Sequence, residues 1–316
     1  MKNVLMKNHV MNSKNAGENA IIWLDGFSLS YNYQFSTSIT EYAEQYNKTY
    51  INKDYSNKIF KPFELIPFDY DGVKFNMISC PAGGVVNIAN WGLQEIKEPF
   101  MLGETEVTQE LFETVMGFNY SIFKDDNKNP VEMVSWFDCL EFCNRLSDYF
   151  GFEHSYVLED RKLSYTSIDY GLDIIRKYPF TIVDATYSFN KWANGFRLPK
   201  EWEWQIAAMA GTNNQYAGAS DVESLKRVAW FDANSDKKTH PVAQKLPNEW
   251  GFYDMTGNLS ELCENLYNPK DNNNASLVTR GGCFINFPNI LALTDRGSGS
   301  KDNPTKYTGL RVSRSI

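Results

Sequence analysis

The side chains best suited to redox or metal chemistry are five cysteines, Cys80, Cys139, Cys143, Cys263 and Cys283. They are odd in number, and no two form a CxxC pair. Cys139 and Cys143 fall one turn apart on an expected helix, where near-parallel side chains disfavour a disulfide. Two thiolates without two further ligands make no zinc site. Free, buried thiols in a reducing compartment are the expectation. The histidines His9, His154 and His240 are scattered with no HxxxH spacing, so structural roles are expected of them. Gly281-Gly282 and Gly297-Ser298-Gly299 lack the strand-GxxxxGK-helix setting of a phosphate loop.

Residues 283–300 suggest recognition instead of catalysis. The stretch has no Lys, Glu, Gln, Met or Trp, although all five are common elsewhere in the chain. Randomising the two adenines of an AAC codon can encode every residue type present there and none of the five that are absent. Asn286, Pro288 and Asn289 break up any core strand, because proline cannot donate to a ladder and buried amides need partners. A partly exposed loop is expected, with Phe284, Ile285, Phe287, Ile290 and Leu293 forming an apolar patch of the kind that marks binding surfaces. Aromatic anchors among small polar residues also compose antibody-like paratopes. With Asn286, Asn289, Leu291, Thr294, Asp295, Asn303 and Tyr307, these residues make up the expected ligand-contacting set.

The elements that must carry this loop can be read from pattern. Val73–Ser79 alternates as a strand does and ends at the Pro81-Ala82-Gly83-Gly84 turn. Thr108 is placed to cap a helix over Gln109–Met116. Ser135 opens a second helix with Phe137, Leu140, Phe142, Cys143 and Leu146 near one face. Residues 154–193 read as a strand-rich insertion. Pro199 starts a third helix, with Trp202, Ile206 and Met209 or Ala210 as its buried stripe and Gly211 as its stop. Beyond Gly211 the chain is rich in Gly, Asn and Asp, with only short strands. Residues 1–62 are polar and read as an N-terminal extension with a surface helix in Ser36–Tyr55, leaving 63–316 as the main domain. A net charge of −8 without a basic tract makes nucleic acid a poor partner. No run of about 20 apolar residues is present to span a membrane. The first residues lack the apolar core of a signal peptide; a cytoplasmic location is the default, with bacterial surface display open if the true start differs.

Several segments, taken in order, carry a resemblance: Gly103-Glu104-Thr105-Glu106-Val107-Thr108-Gln109, Asn129-Pro130-Val131-Glu132, Gly195-Phe196-Arg197-Leu198-Pro199, Trp250-Gly251-Phe252-Tyr253-Asp254-Met255-Thr256-Gly257-Asn258, Arg280-Gly281-Gly282 and Gly309-Leu310-Arg311-Val312. Together they resemble the formylglycine-generating enzyme, or sulfatase-modifying-factor, family from about Val73 to the C-terminus. The resemblance implies an α+β, C-type-lectin-like fold with short sheets, two or three flanking helices and long structured loops. The family's enzymes hold copper on two cysteines, six and eleven residues after the Arg of Arg-Gly-Gly. Those positions are Asn286 and Leu291 here, so no copper and no oxidase activity are expected. A family calcium loop corresponds to Asp254, Gly257, Leu259 and Glu261, a set of oxygen donors that suits Ca²⁺; a simple Asx turn is the other reading. Adenine-directed mutagenesis is how diversity-generating retroelements vary the C-terminal ends of target proteins that share this fold and a Gly-(Phe/Leu)-Arg element. The resemblance therefore implies a monomeric, non-catalytic variable protein binding an unknown protein or glycan ligand. A catalytically dead homologue with a fixed partner and an active copper oxidase remain the alternatives.

Overall fold

A computed structural model describes residues 20–24, 27–31, 61–168, 176–270 and 276–316. The helix expected within Ser36–Tyr55 lies outside the described residues. Strands β1 (Ala20–Leu24) and β2 (Phe27–Tyr31) pair as an antiparallel hairpin in register Ala20↔Tyr31. That hairpin belongs to one compact unit, Met1–Tyr55 with Tyr149–Gly151; a second unit comprises Ser56–Asp148 and Phe152–Ile316. The second unit carries the site.

Its first sheet contains β3 (Leu65–Tyr70), β4 (Val73–Cys80), β7 (Phe100–Gly103), β10 (Phe196–Arg197) and β15 (Ser313–Ser315), in the order β10-β15-β7-β4-β3. The C-terminal strand thus inserts between two others, pairing Ser313 with Leu102 and Arg197. The second sheet runs β13 (Gly297–Ser300), β12 (Ser276–Arg280), β11 (Ser260–Leu266), β14 (Thr308–Gly309), which places β13 at its edge. A small hairpin, β5 (Val85–Ile88) with β6 (Gly92–Glu95), lies between β4 and β7 in sequence. The insertion is a long hairpin of β8 (Tyr156–Ile168) and β9 (Arg176–Phe189).

The helix signals have direct counterparts. In α1 (Gln109–Met116), Thr108 Oγ1 accepts from Leu111 N at 3.2 Å, and Gly117 closes the far end at φ 82°. Before α2 (Trp136–Phe150), Ser135 Oγ accepts from Asp138 N at 3.0 Å while Asp138 Oδ2 accepts from Ser135 N at 3.1 Å, a reciprocal cap. Helix α3 (Glu201–Met209) corrects the expected stripe: Trp202 is half-buried against Trp91, whereas Trp204 is 1% exposed. Both sides of α3 are covered, so Glu201, Gln205, Ala207 and Ala208 are buried too, and a single-stripe rule selects the wrong tryptophan. A fourth helix, α4 (Val222–Val228), is capped by Asp221 and escaped the sequence reading because only Leu225 and Val228 of its seven residues are buried.

The core between the sheets gathers Ile78, Phe100, Leu102, Trp204, Cys263, Val278 and Leu293. In the loop-rich half, side chains replace ladders as partners for the backbone. Asn248 Nδ2 donates to Ala207 O at 2.8 Å and its Oδ1 accepts from Trp250 N and Phe252 N, both at 3.1 Å. Buried Glu106 accepts from Leu259 N at 2.9 Å and Asn258 Nδ2 at 2.8 Å. Gly257, at φ 81°, is required twice over, because a Cβ there would stand 2.2 Å from Trp230 O.

Candidate ligand-binding site

The loop of interest leaves β12 at Arg280, turns through Gly281 and Gly282 at positive φ, and returns along β13. Arg280 is 1% exposed and clamps the returning leg from beneath. Its Nη1 donates to Asp295 O at 2.7 Å; its Nη2 donates to Leu293 O at 2.6 Å and Gln205 Oε1 at 2.7 Å. Arg296 binds Glu201 through two bonds of 2.5 and 2.8 Å, and the same carboxylate lies 3.5 Å from Arg280. Glu201 is fully buried, so one acid shared between two guanidiniums ties the loop to the start of α3.

The expected contact set divides into three groups. Phe284, Leu291 and Leu293 are 0%, 1% and 5% exposed, which corrects their assignment to the binding face. Phe284 packs edge-on against Phe123 at 5.3 Å, Leu291 joins Tyr216, Leu225 and Phe231, and Leu293 enters the main core beside Trp204. A loop this long with no ladder of its own needs such apolar plugs. Phe287 at 60% and Ile290 at 47% stay exposed, as do Asn289 and Thr294. A single 3-10 turn over Pro288–Ile290 lifts this tip clear of the core.

The third group lines two adjoining hollows. One, of about 400 Å³, is floored by Thr279, Gly281, Gly282 and Gly297 and walled by Asn286, Ile290 and Asp295. The other, of about 460 Å³, is bounded by Ile285, Asn286, β13, Asn303 and Tyr307. Asn286 borders both and also holds the turn: its Oδ1 accepts from Cys283 N at 2.8 Å and its N donates to Cys283 O at 2.9 Å. Sequence reasoning missed Ser260, Thr279, Ser298 and Ser300 as lining residues. Only the tertiary pairings Thr279↔Gly297, Val278↔Ser298, Ser276↔Ser300 and Ser260↔Thr308 bring them to the site, and nothing local signals them.

Asn286 and Leu291 converge at Gly282. A Cβ on that glycine would stand 2.4 Å from Leu291 Cδ2 and 3.1 Å from Asn286 Oδ1. The positions that correspond to the family's thiols therefore meet in space, but with an amide and an isobutyl group, a pair that does not fit copper. All five cysteines are buried, and burial pushes the Cys283 thiol up to about 11. Among the described residues no group of three or more His, Cys, Asp or Glu side chains is placed to hold a metal.

The calcium loop presents one open acceptor and one closed one. Asp254 Oδ2 accepts from Ala243 N at 2.8 Å, while its buried Oδ1 has no donor; burial pushes this carboxyl up to about 6. Glu261 is saturated, because Arg311 donates to both its oxygens at 2.7–3.0 Å and Trp204 Nε1 donates to Oε2 at 2.6 Å. The cation facing Glu261 is Arg311, so Glu261 as arranged does not fit the role of calcium ligand. Gly257 and Leu259 lie on the same loop, where Leu259 N bonds to Glu106.

Among the described residues, two antiparallel-rich sheets, four helices and a long clamped loop define a C-type-lectin-like domain with its candidate site at the C-terminal end. Residues 76–316 match the sulfatase-modifying factor enzyme 1-like domain, and the chain belongs to that family. It is 32% identical over 234 residues to the chaperone protein LppX of Paenibacillus barcinonensis, spanning 68% of this chain and 80% of that one. Among solved structures it is similar to variable protein 1 of Treponema denticola, with a TM-score of 0.67 and 28% identity over 80% of this chain and 99% of that chain. The formylglycine-generating enzyme of Streptomyces coelicolor is 26% identical over 155 residues, 40% of this chain and 49% of the enzyme.

Proposed function

We propose that this chain is a non-catalytic ligand-binding protein of the diversity-generating-retroelement variable type, which recognises a protein or glycan through residues 281–308. The observation that carries the proposal is the division of labour in the loop. Arg280, Phe284, Leu291 and Leu293 are committed to the frame, while Phe287, Asn289, Ile290, Thr294 and Asn303 are exposed around two hollows and the half-buried Ile285 borders one of them. A frame anchored by buried groups can hold a surface whose side chains change without refolding the domain. The likeness to the Treponema variable protein supports this reading, and Asn286 and Leu291 at the thiol positions speak against oxidase chemistry. Calcium is left out of the proposal because Arg311 already neutralises Glu261.

The resemblance to a chaperone favours a second reading, in which the same face holds one fixed protein partner. Two measurements separate these readings from each other and from the enzyme. An adenine-bearing template repeat beside the gene, matching codons 280–311, is expected for a variable protein and absent for a fixed one. Purified protein supplied with copper and oxygen should leave a Cys-containing sulfatase peptide unaltered in mass; conversion of that cysteine to formylglycine would overturn the non-catalytic reading.

A further inference from the structure

Strand β13 is the outer edge of its sheet, and it is built from Gly297, Ser298, Gly299 and Ser300. Three of the four are exposed and Gly299 is half-buried. Exposed sheet edges carry unpaired N–H and C=O groups, and proteins ordinarily protect them with charged side chains, proline or a covering segment. The strand itself has none of these protections. The three charged neighbours are turned elsewhere: Arg296 is bonded to Glu201, Lys301 Nζ lies over the rings of Trp136 and Tyr187 at 5.3 and 5.0 Å from their centroids, and Asp302 accepts from the Ser300 hydroxyl at 2.5 Å. Among the described residues, the backbone groups of Gly297–Ser300 pair with β12 alone.

The inner face of the strand is fixed by packing. A Cβ on Gly297 would stand 2.3 Å from Thr279 Oγ1, and one on Gly299 would stand 3.1 Å from Thr279 Cγ2. Glycine at both positions lets the strand lie close on Thr279 and leaves its outer edge free of bulk. All four residues border the larger hollow, and Gly297 borders the smaller one as well. In an antiparallel ladder alternate residues turn both N–H and C=O away from their partner. Four residues therefore offer two outward-facing pairs, the complement of another extended backbone.

We propose that the ligand is an extended peptide segment of a protein partner, which adds to β13 as an outer strand. Alternate side chains of that segment would enter the hollow beside Ile285, Asn286 and Tyr307. Backbone pairing to a fixed strand supplies affinity that does not depend on the changing residues, and the hollow supplies selectivity. This rests on the ligand-binding reading above but can fail independently of it.

The test begins with a random linear dodecapeptide library displayed on phage and selected against the whole protein. Enriched peptides are then resynthesised with single backbone N-methyl groups, and amide hydrogen exchange is followed in the complex. The expected result is binding that weakens about tenfold or more on N-methylation at alternate residues, together with slowed exchange in Gly297–Ser300. The inference is overturned if no linear peptide is enriched, if N-methylation has no alternating effect, or if Gly297–Ser300 exchanges as in the free protein. A glycan or folded protein that protects residues 283–294 but leaves β13 unprotected would keep the ligand-binding reading and remove this one.

Discussion

At the scale of single residues, the chain buries more acid than its cations neutralise. Glu132 is fully buried, and burial pushes its carboxyl up to about 7 although Ile122 N and Phe123 N both donate to Oε1. Asp138 is pushed up to about 6 by the same cause against two backbone hydrogen bonds to its carboxylate, from Ser135 N and from Ile182 N. A carboxyl whose folded pKa exceeds its unfolded value binds protons more tightly when folded. Its stabilising contribution is complete below the unfolded pKa and is lost as pH rises through the folded one. The melting temperature should therefore fall between pH 5 and pH 8. Glu132→Gln should flatten that decline and stabilise the protein at pH 8 by roughly 1–3 kcal/mol. Thermal melts across this range check the sign; a midpoint that rises toward pH 8 would contradict it. This behaviour was not legible in the sequence, where Glu132 read only as part of a family motif and nothing local marked it as buried.

Among the elements, the loop of residues 281–296 and helix α3 depend on each other. Phe284→Ala, Leu291→Ala and Leu293→Ala remove buried side chains and should each cost about 2–5 kcal/mol, whereas Phe287→Ala and Ile290→Ala should fall within about 0.5 kcal/mol. Trp204→Ala should likewise cost far more than Trp202→Ala, since only Trp204 is enclosed and donates to Glu261. Denaturant titrations of the seven single variants check both contrasts. Equal losses at Phe284 and Phe287 would mean that the loop has no frame distinct from its surface. The loop's existence was readable from Asn286, Pro288 and Asn289, which do break the strand. Its inner and outer sides were not readable, because Phe284 and Phe287 are the same residue type and only tertiary packing against Phe123 and Tyr307 distinguishes them. Helix starts fared better, since Thr108 and Ser135 act through bonds to their own neighbours, which a sequence can specify.

For the whole molecule, the fold followed from motifs spread along the chain, and the buried arginines show why those motifs carry it. Arg197 binds Glu203 at 2.7 and 2.8 Å and Arg280 reaches Glu201, each tying a strand to helix α3, while Arg311 binds Glu261 just beyond the short β14 pairing to β11. With Arg311 as the cation at Glu261, saturating calcium should leave the melting temperature unchanged relative to chelator-treated protein. A rise of several degrees would show that calcium binds the folded protein and would contradict this assignment. The central claim is that a constant frame carries a changeable recognition surface. Its most direct test randomises Ile285, Phe287, Asn289, Ile290, Thr294 and Asn303 together, using the residue types that adenine mutagenesis of AAC codons can reach. The variants are sorted first for folded display and then for binding to a panel of cell-surface proteins and glycans. The account predicts that most variants keep the parental melting midpoint within a few degrees while different variants bind different targets. Loss of folded display in most variants, or one shared target for every folded variant, would contradict it.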